Sequence, residues 1–310
     1  MVLGKVPELK PTPLIRVRNV EKIFGIREVY LKYEGVNPTG THKDRLAREH
    51  VLEALRKGYD TITTATCGNY GVSIAYFAKH AELDAVIYLP RGYYGTRLRD
   101  LAKYGARIVW IRGTYEDAVV RSRVDALANN WYNANPGVEN RPISIRAYSK
   151  IAFEIVEQLG KEPTTLTVPV GNGTTLTGIY HGLLMLKEQG KIKGLPQLIV
   201  VSTIHGNPVI VSFQKKQRKL TKLAKVRETK YNEPLVARES FDGEGALKAL
   251  WETKGKAIAV PDWKMVEYAK LLSRKEDLSV LPASASVLEA LNEIEELGKH
   301  VLLITAKRVK

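Results

Sequence analysis

One lysine sits where a turn becomes a helix. The segment Asn37-Pro38-Thr39-Gly40-Thr41-His42-Lys43-Asp44-Arg45 opens on Asn-Pro-Thr-Gly, a run that breaks regular structure. Leu46, Ala47, Val51, Leu52 and Leu55 then follow at helical spacing. A lysine at such an edge can face a cleft rather than solvent. There its amine can form a Schiff base with a carbonyl compound, and once freed it can remove a proton as general base. Both roles need a neutral amine, which desolvation and nearby positive charge supply. Most lysines are solvated surface groups, so Lys43 gains meaning only from the company it keeps.

That company is two loops at strand-to-helix junctions. Gly171-Asn172-Gly173-Thr174-Thr175 follows an apolar strand and opens a helix. Glycines let the backbone approach an anion, N–H groups at the helix start face it, and Thr174 and Thr175 add hydroxyl donors. The loop is neither a Walker loop nor a three-glycine dinucleotide loop. The second loop is Cys67-Gly68-Asn69-Tyr70-Gly71, after the strand that ends at Thr66. Asn69 could hydrogen-bond a planar ligand through its amide; as bare turn chemistry the loop is equally well explained. Cys67 reads as a small residue filling a tight turn rather than as a nucleophile.

The elements that must position these loops alternate. Strand patterns at 60–66, 85–89 and 107–111 are interleaved with helix patterns at 72–81, 96–104 and 115–129. Residues 133–146 are turn-rich and read as a connection. The rhythm then restarts with a helix at 150–159, a strand at 165–170, a helix at 176–189, a strand at 198–202 and a last strand at 300–305. The basic, irregular stretch 213–239 reads as a mobile excursion. This is an α/β chain with two open, twisted, mostly parallel sheets and helices on both faces.

Composition narrows the class. The 310 residues are 44% hydrophobic and 26% charged, as in a globular protein of one large or two ordinary domains. No apolar run approaches the roughly 20 residues that cross a bilayer, and Met1–Pro7 lacks signal-peptide order, so a cytoplasmic protein is expected. A single cysteine and six scattered histidines give no disulfide framework and no metal spacing. The net charge of +15 is spread along the chain, with one cluster at 215–222. The cluster reads as a solvated basic loop, and attraction of an anionic substrate or cofactor into a positive cleft is a second reading; nucleic acid is disfavoured, since no zinc finger or aromatic RNA-binding signature is present.

Together the three motifs resemble the fold-type II pyridoxal-phosphate family, with a tryptophan synthase β-like architecture, and within it the threonine synthases. The resemblance runs from about Pro13 to Thr305. That family's Schiff-base lysine lies in an Asn-Pro-Thr-Gly-Ser/Thr-Phe-Lys-Asp-Arg stretch, here Asn37–Arg45 with His42 in place of Phe. Its Ser-Gly-Asn loop is similar to Cys67-Gly68-Asn69, and its Val-Pro-Val-Gly-Asn-Gly-Gly loop to Val168–Thr174. Further matches are Ile151–Ile155, Asp242–Leu247 and Pro282–Ala285. The departures are Thr174-Thr175 for Gly-Asn, Ala147-Tyr148-Ser149-Lys150-Ile151 for Glu-Gly-Gln-Lys-Thr, and Ala306-Lys307-Arg308 after Thr305 for Gly-His-Gly.

The resemblance implies pyridoxal 5'-phosphate held by Lys43, Asn69, Gly171, Asn172, Gly173, Thr174, Thr175 and Thr305, with Lys43 catalytic and no metal. Asn69 would contact the ring oxygen and Thr305 the ring nitrogen. It implies a larger cofactor-binding domain of residues 1–45 and 146–310, a smaller mobile domain of 46–145, and the cofactor in the cleft between them. The implied reaction is conversion of O-phosphohomoserine and water to threonine and phosphate. Substrate contacts fall on Thr41, Arg45, Thr66, Cys67, Gly68, Arg146 and Lys150. A small anionic amino acid is the expected partner, and a homodimer the expected assembly. A threonine/serine dehydratase or a cysteine synthase-like β-replacement enzyme shares the same cofactor motifs. A nucleic-acid-binding α/β protein, or a binding module without turnover, is the alternative of a different class.

Overall fold

The computed structural model describes residues 5–66, 68–91, 97–137 and 140–308. In chain order the elements are β1 (Leu14–Arg16), α1 (Arg18–Phe24), β2 (Val29–Tyr33), α2 (Lys43–Arg56), β3 (Thr61–Ala65), α3 (Asn69–His80), β4 (Asp84–Pro90), α4 (Leu98–Lys103), β5 (Arg107–Ile111), α5 (Tyr115–Ala128), β6 (Tyr132–Asn133) and α6 (Arg141–Leu159). There follow β7 (Thr165–Pro169), α7 (Thr174–Glu188), β8 (Gln197–Thr203), α8 (Pro208–Gln214), α9 (Gly243–Glu252), β9 (Lys256–Val260), α10 (Asp262–Glu276), α11 (Pro282–Ala285) and β10 (His300–Ile304). The described residues divide into two compact units, the first holding residues 5–10 and 37–147 and the second residues 11–36 and 148–308.

The first unit carries a parallel four-stranded sheet among the described residues, in the order β5-β4-β3-β6. Its inner strand β4 is buried on both faces: Ala85, Val86, Ile87, Tyr88 and Leu89 are all buried. Val86, Ile87 and Leu89 each stabilise the fold by roughly 1.5–3 kcal/mol relative to exposure. Thr114 and Asp117 form a reciprocal capping box that starts α5. His50 of α2 is fully buried, with Nδ1 3.0 Å from Tyr132 Oη and Nε2 2.9 Å from Ser144 Oγ. The turn 37–42 belongs to this unit, because α2 starts at Lys43 and its leading turn is bonded to α3.

The second unit carries a six-stranded sheet in the order β1-β2-β10-β7-β8-β9. Every pairing in it is parallel except β1 with β2. The two sheets are the mostly parallel α/β arrangement expected from the alternating pattern. Strands β7 and β10 are buried along their whole length. One buried cation lies within this core. Lys32 of β2 is 0% exposed, and its Nζ donates to Glu154 at 2.6 Å, to the Thr12 carbonyl at 2.6 Å and to Gln158 at 2.9 Å. Three donors thus meet three acceptors, the condition under which a buried ammonium is tolerated.

Two segments differ from the sequence reading. The turn-rich connection 133–146 is helical from Arg141 onward, within α6. Pro142 is what makes it look like a break. Near a helix start its missing N–H costs nothing, since that donor has no partner inside the helix. The basic stretch 213–239 is irregular but not detached. Leu223 N bonds Arg238 O, Arg227 N bonds His205 O, and Ala237 N bonds Gly206 O. Most of its charged side chains are exposed while its backbone is held.

Candidate active site

In the first unit the Lys43 turn is braced from both sides. Gly40 N donates to Asn37 O at 2.8 Å, and Lys43 N to Thr41 Oγ1 at 3.3 Å. Asp44, the second residue of α2, accepts from Thr39 N at 2.7 Å and from Thr39 Oγ1 at 2.5 Å. Burial pushes the Asp44 carboxyl up, opposed by hydrogen bonds from Thr39 and Ser73 and by the charge of Arg97. Lys43 itself is half-buried at the helix start, Thr41 and Arg45 are buried around it, and His42 is buried at the N-cap position.

The loop after β3 is shaped by Thr66. Its Oγ1 accepts from Gly68 N at 3.0 Å and Gly71 N at 3.2 Å. Gly68 then caps α3, whose first residue is Asn69. Cys67 lies outside the described residues. Asn69 is held by a residue the sequence did not single out. Arg97 donates from Nη1 to Asn69 Oδ1 at 2.8 Å, from Nη2 to Thr39 O at 3.1 Å, and from Nε to Asp100 at 2.7 Å. One buried guanidinium therefore ties the Asn69 loop to the Lys43 turn. A second tie is Thr39 Oγ1 to Ser73 Oγ of α3 at 3.0 Å.

The glycine loop of the second unit meets the requirements of an anion cradle. Its carbonyls are engaged. Asn207 Nδ2 donates to Val170 O at 3.2 Å and Gly171 O at 3.0 Å, Ser240 Oγ to Gly171 O at 2.9 Å, and Asp242 N to Asn172 O at 3.2 Å. In a trans peptide the N–H opposes the C=O, so the N–H groups of Gly171, Asn172 and Gly173 turn the other way. Gly173 caps α7 in the left-handed region, with φ 84°, and no side chain caps that helix start. At Gly171 a Cβ would sit 2.5 Å from Pro234 O, so the strap 234–240 leaves room for glycine alone. The buried Oδ1 of Asn172 has no hydrogen-bond partner among the described residues. A bare helix start and loop N–H groups turned away from the engaged carbonyls fit a bound phosphate group.

Thr174 departs from its expected role. Its hydroxyl donates to Asp242 at 2.6 Å, so that donor is already engaged within the protein. Thr175 is buried beside it. Thr305 follows β10, with Oγ1 2.7 Å from Ser284 Oγ, which in turn accepts from Ala306 N at 3.1 Å. The two basic residues expected on α6 are exposed: Arg146 Nη2 stands 4.0 Å from Glu49, and Lys150 is at the surface.

Arg97, Asn207, Ser240 and Ser284 are the site-shaping residues that motif reading passed over. Only Ser284 carried a signal, as part of the Pro-Ala-Ser-Ala match. The described residues hold no cluster of three or more His, Cys, Asp or Glu able to bind a metal ion, and no helix long and apolar enough to cross a membrane.

With this geometry, residues 6–306 match the family model described as pyridoxal-phosphate dependent enzyme. The chain belongs to that family, and its cofactor is pyridoxal 5'-phosphate. Among curated relatives it is 32% identical to the threonine synthase of Methanocaldococcus jannaschii over 93% of this chain and 70% of that enzyme. It is 31% identical to the threonine synthase of Halalkalibacterium halodurans over 96% of this chain and 82% of that enzyme. Among solved structures a pyridoxal 5'-phosphate-dependent aspartate racemase superposes with TM-score 0.82 at 18% identity, covering 97% of this chain and 91% of that one. The processed form of threonine deaminase isoform 2 from Solanum lycopersicum superposes with TM-score 0.77 at 16% identity, covering 99% and 86%. At such identities the structural likeness establishes the fold.

Proposed function

We propose that this enzyme converts O-phosphohomoserine and water to threonine and phosphate. The observation that carries the reading is the likeness to threonine synthases over more than nine-tenths of the chain, joined to a braced lysine at a turn–helix edge. Lys43 would hold the cofactor, Asn69 its ring oxygen, Thr305 its ring nitrogen, and the N–H groups of Gly171–Thr175 its phosphate. When bound, the cofactor supplies an electron sink for charge developing at the substrate α-carbon.

The chain's own residues do the rest. With its amine free, Lys43 would take the substrate α-proton. The Asp44–Thr39 bonds keep the helix start that carries Lys43 in one conformation. Thr305 is neutral and shares a hydrogen bond with Ser284. It can bond a ring nitrogen without fully protonating it, which moderates the sink and suits chemistry at the substrate side chain. The leaving phosphate needs its own cation. Arg45, buried in the first turn of α2, and the exposed Arg146 and Lys150 are the candidates.

The test is phosphate release from O-phosphohomoserine by the purified holoenzyme, with threonine as co-product. Stoichiometric release supports the reading. A yellow protein that releases no phosphate, but forms ammonia and a 2-oxo acid from threonine or serine, overturns it in favour of a dehydratase.

A further inference from the structure

We infer that Arg97 is the positioning residue that fixes which way the Asn69 amide faces the cofactor. The inference rests on the assignment of Asn69 to the ring oxygen. An asparagine amide has one acceptor oxygen and one donor nitrogen, which exchange places on a half-turn about χ2. A guanidinium only donates. Arg97 Nη1, 2.8 Å away, therefore compels the amide to turn Oδ1 toward it, whatever the surrounding density of hydrogen bonds. The Nδ2 donor is left on the opposite side, with no protein partner among the described residues. An anionic ring oxygen needs a donor at that place.

Arg97 cannot itself swing away. It is 7% exposed, Asp100 holds its Nε at 2.7 Å, and the Thr39 carbonyl holds its Nη2 at 3.1 Å. The Thr39 bond gives the device a second consequence. The residue that orients Asn69 is anchored to the turn that ends at Lys43, so ring-oxygen donor and Schiff-base lysine share one scaffold. The positive charge also polarises the amide and strengthens donation from Nδ2.

The discriminating variants differ in hydrogen-bond sense. Arg97→Lys keeps a donor-only group. Arg97→Gln can present an oxygen to Asn69 and so permits the flipped amide. Apoenzyme variants are titrated with pyridoxal phosphate, followed by the yellow band of the lysine-bound cofactor and by its pH titration. Arg97→Gln and Arg97→Ala are expected to weaken cofactor binding about 10-fold and shift the titration of the band, with Arg97→Lys within about 3-fold of the parent. In the Asn69→Ala background, Arg97→Gln is expected to add nothing. Loss of affinity in Asn69→Ala with none in Arg97→Gln overturns the role of Arg97 alone. Equal losses in Arg97→Lys and Arg97→Gln, or additive losses with Asn69→Ala, reduce Arg97 to scaffolding and likewise overturn it. No loss in Asn69→Ala overturns the placement of Asn69 on which both depend. Should Arg97→Ala fail to fold, the Lys and Gln pair still decides.

Discussion

Thr174 Oγ1 donates its proton to Asp242 Oδ2 at 2.6 Å, joining the starts of α7 and α9 beneath the glycine loop. Asp242 is 1% exposed, and its backbone N also bonds Asn172 O, so one residue holds the loop through both side chain and main chain. Thr174→Val keeps the shape and removes a donor from a buried carboxylate. A loss of about 1–3 kcal/mol is expected, read as a lowered urea midpoint, with weaker pyridoxal phosphate binding alongside.

Lys43→Ala removes the amine and leaves the turn intact, since the Thr39–Asp44 bonds do not involve the Lys43 side chain. The expected product is a folded protein that retains cofactor weakly, lacks the yellow lysine-bound band, and turns over at least about 100-fold more slowly. Absorption spectra of dialysed parent and variant make the comparison.

Gly171→Ala places a methyl 2.5 Å from the Pro234 carbonyl, a backbone atom that cannot yield cheaply. Overpacking of about 1–3 kcal/mol and reduced phosphate affinity are expected. Gly190→Ala is the control. Its φ of +68° makes alanine strained, but nothing lies within 4 Å of the added carbon. It should cost about 1 kcal/mol and leave cofactor affinity unchanged. Thermal melts and cofactor titrations of both variants separate crowding at the loop from general strain.

Burial lowers the pKa of His50 from 6.5 to about 3, so the folded protein keeps it neutral while the unfolded chain protonates it below 6.5. Between these values the unfolded state binds more protons, and stability rises with pH. Acidification from 6.5 toward 3 should therefore cost roughly 1.4 kcal/mol per unit from this residue. His50→Gln should flatten that slope, and urea midpoints at several pH values between about 4 and 7 measure it.

Lys32→Met leaves Glu154 without its buried cation and is expected to destabilise by about 3–5 kcal/mol. Lys32→Met combined with Glu154→Leu removes the opposing charge and should recover part of the loss. A double variant as destabilised as the two single variants taken together would show that the pair is not coupled.

The sequence alone determines what short stretches of chain enforce on themselves. The alternation of buried strands and helices, the Asn-Pro-Thr-Gly turn before Lys43 and the glycine loop before α7 all follow from turn chemistry, periodicity and backbone freedom within a few residues. Residues 133–146 misled because Pro142 marks both breaks and helix starts, and only the surrounding contacts select between them. The basic run at 213–239 misled because charge reports what faces water, not where backbone carbonyls and N–H groups go.

Tertiary structure decided the partners. Arg97 is one of 48 lysines and arginines, and its targets lie 28 and 58 residues away. Thr174 looked like a phosphate donor until Asp242, 68 residues on, took its proton. A hydroxyl or guanidinium has its chemistry from its type, but which acceptor consumes that chemistry is set by folding, which brings distant groups within hydrogen-bond reach and leaves buried donors and acceptors little choice but to pair. Lys43 was marked by its own neighbours in sequence; the brace that ties its turn to Asn69 exists only in the folded chain.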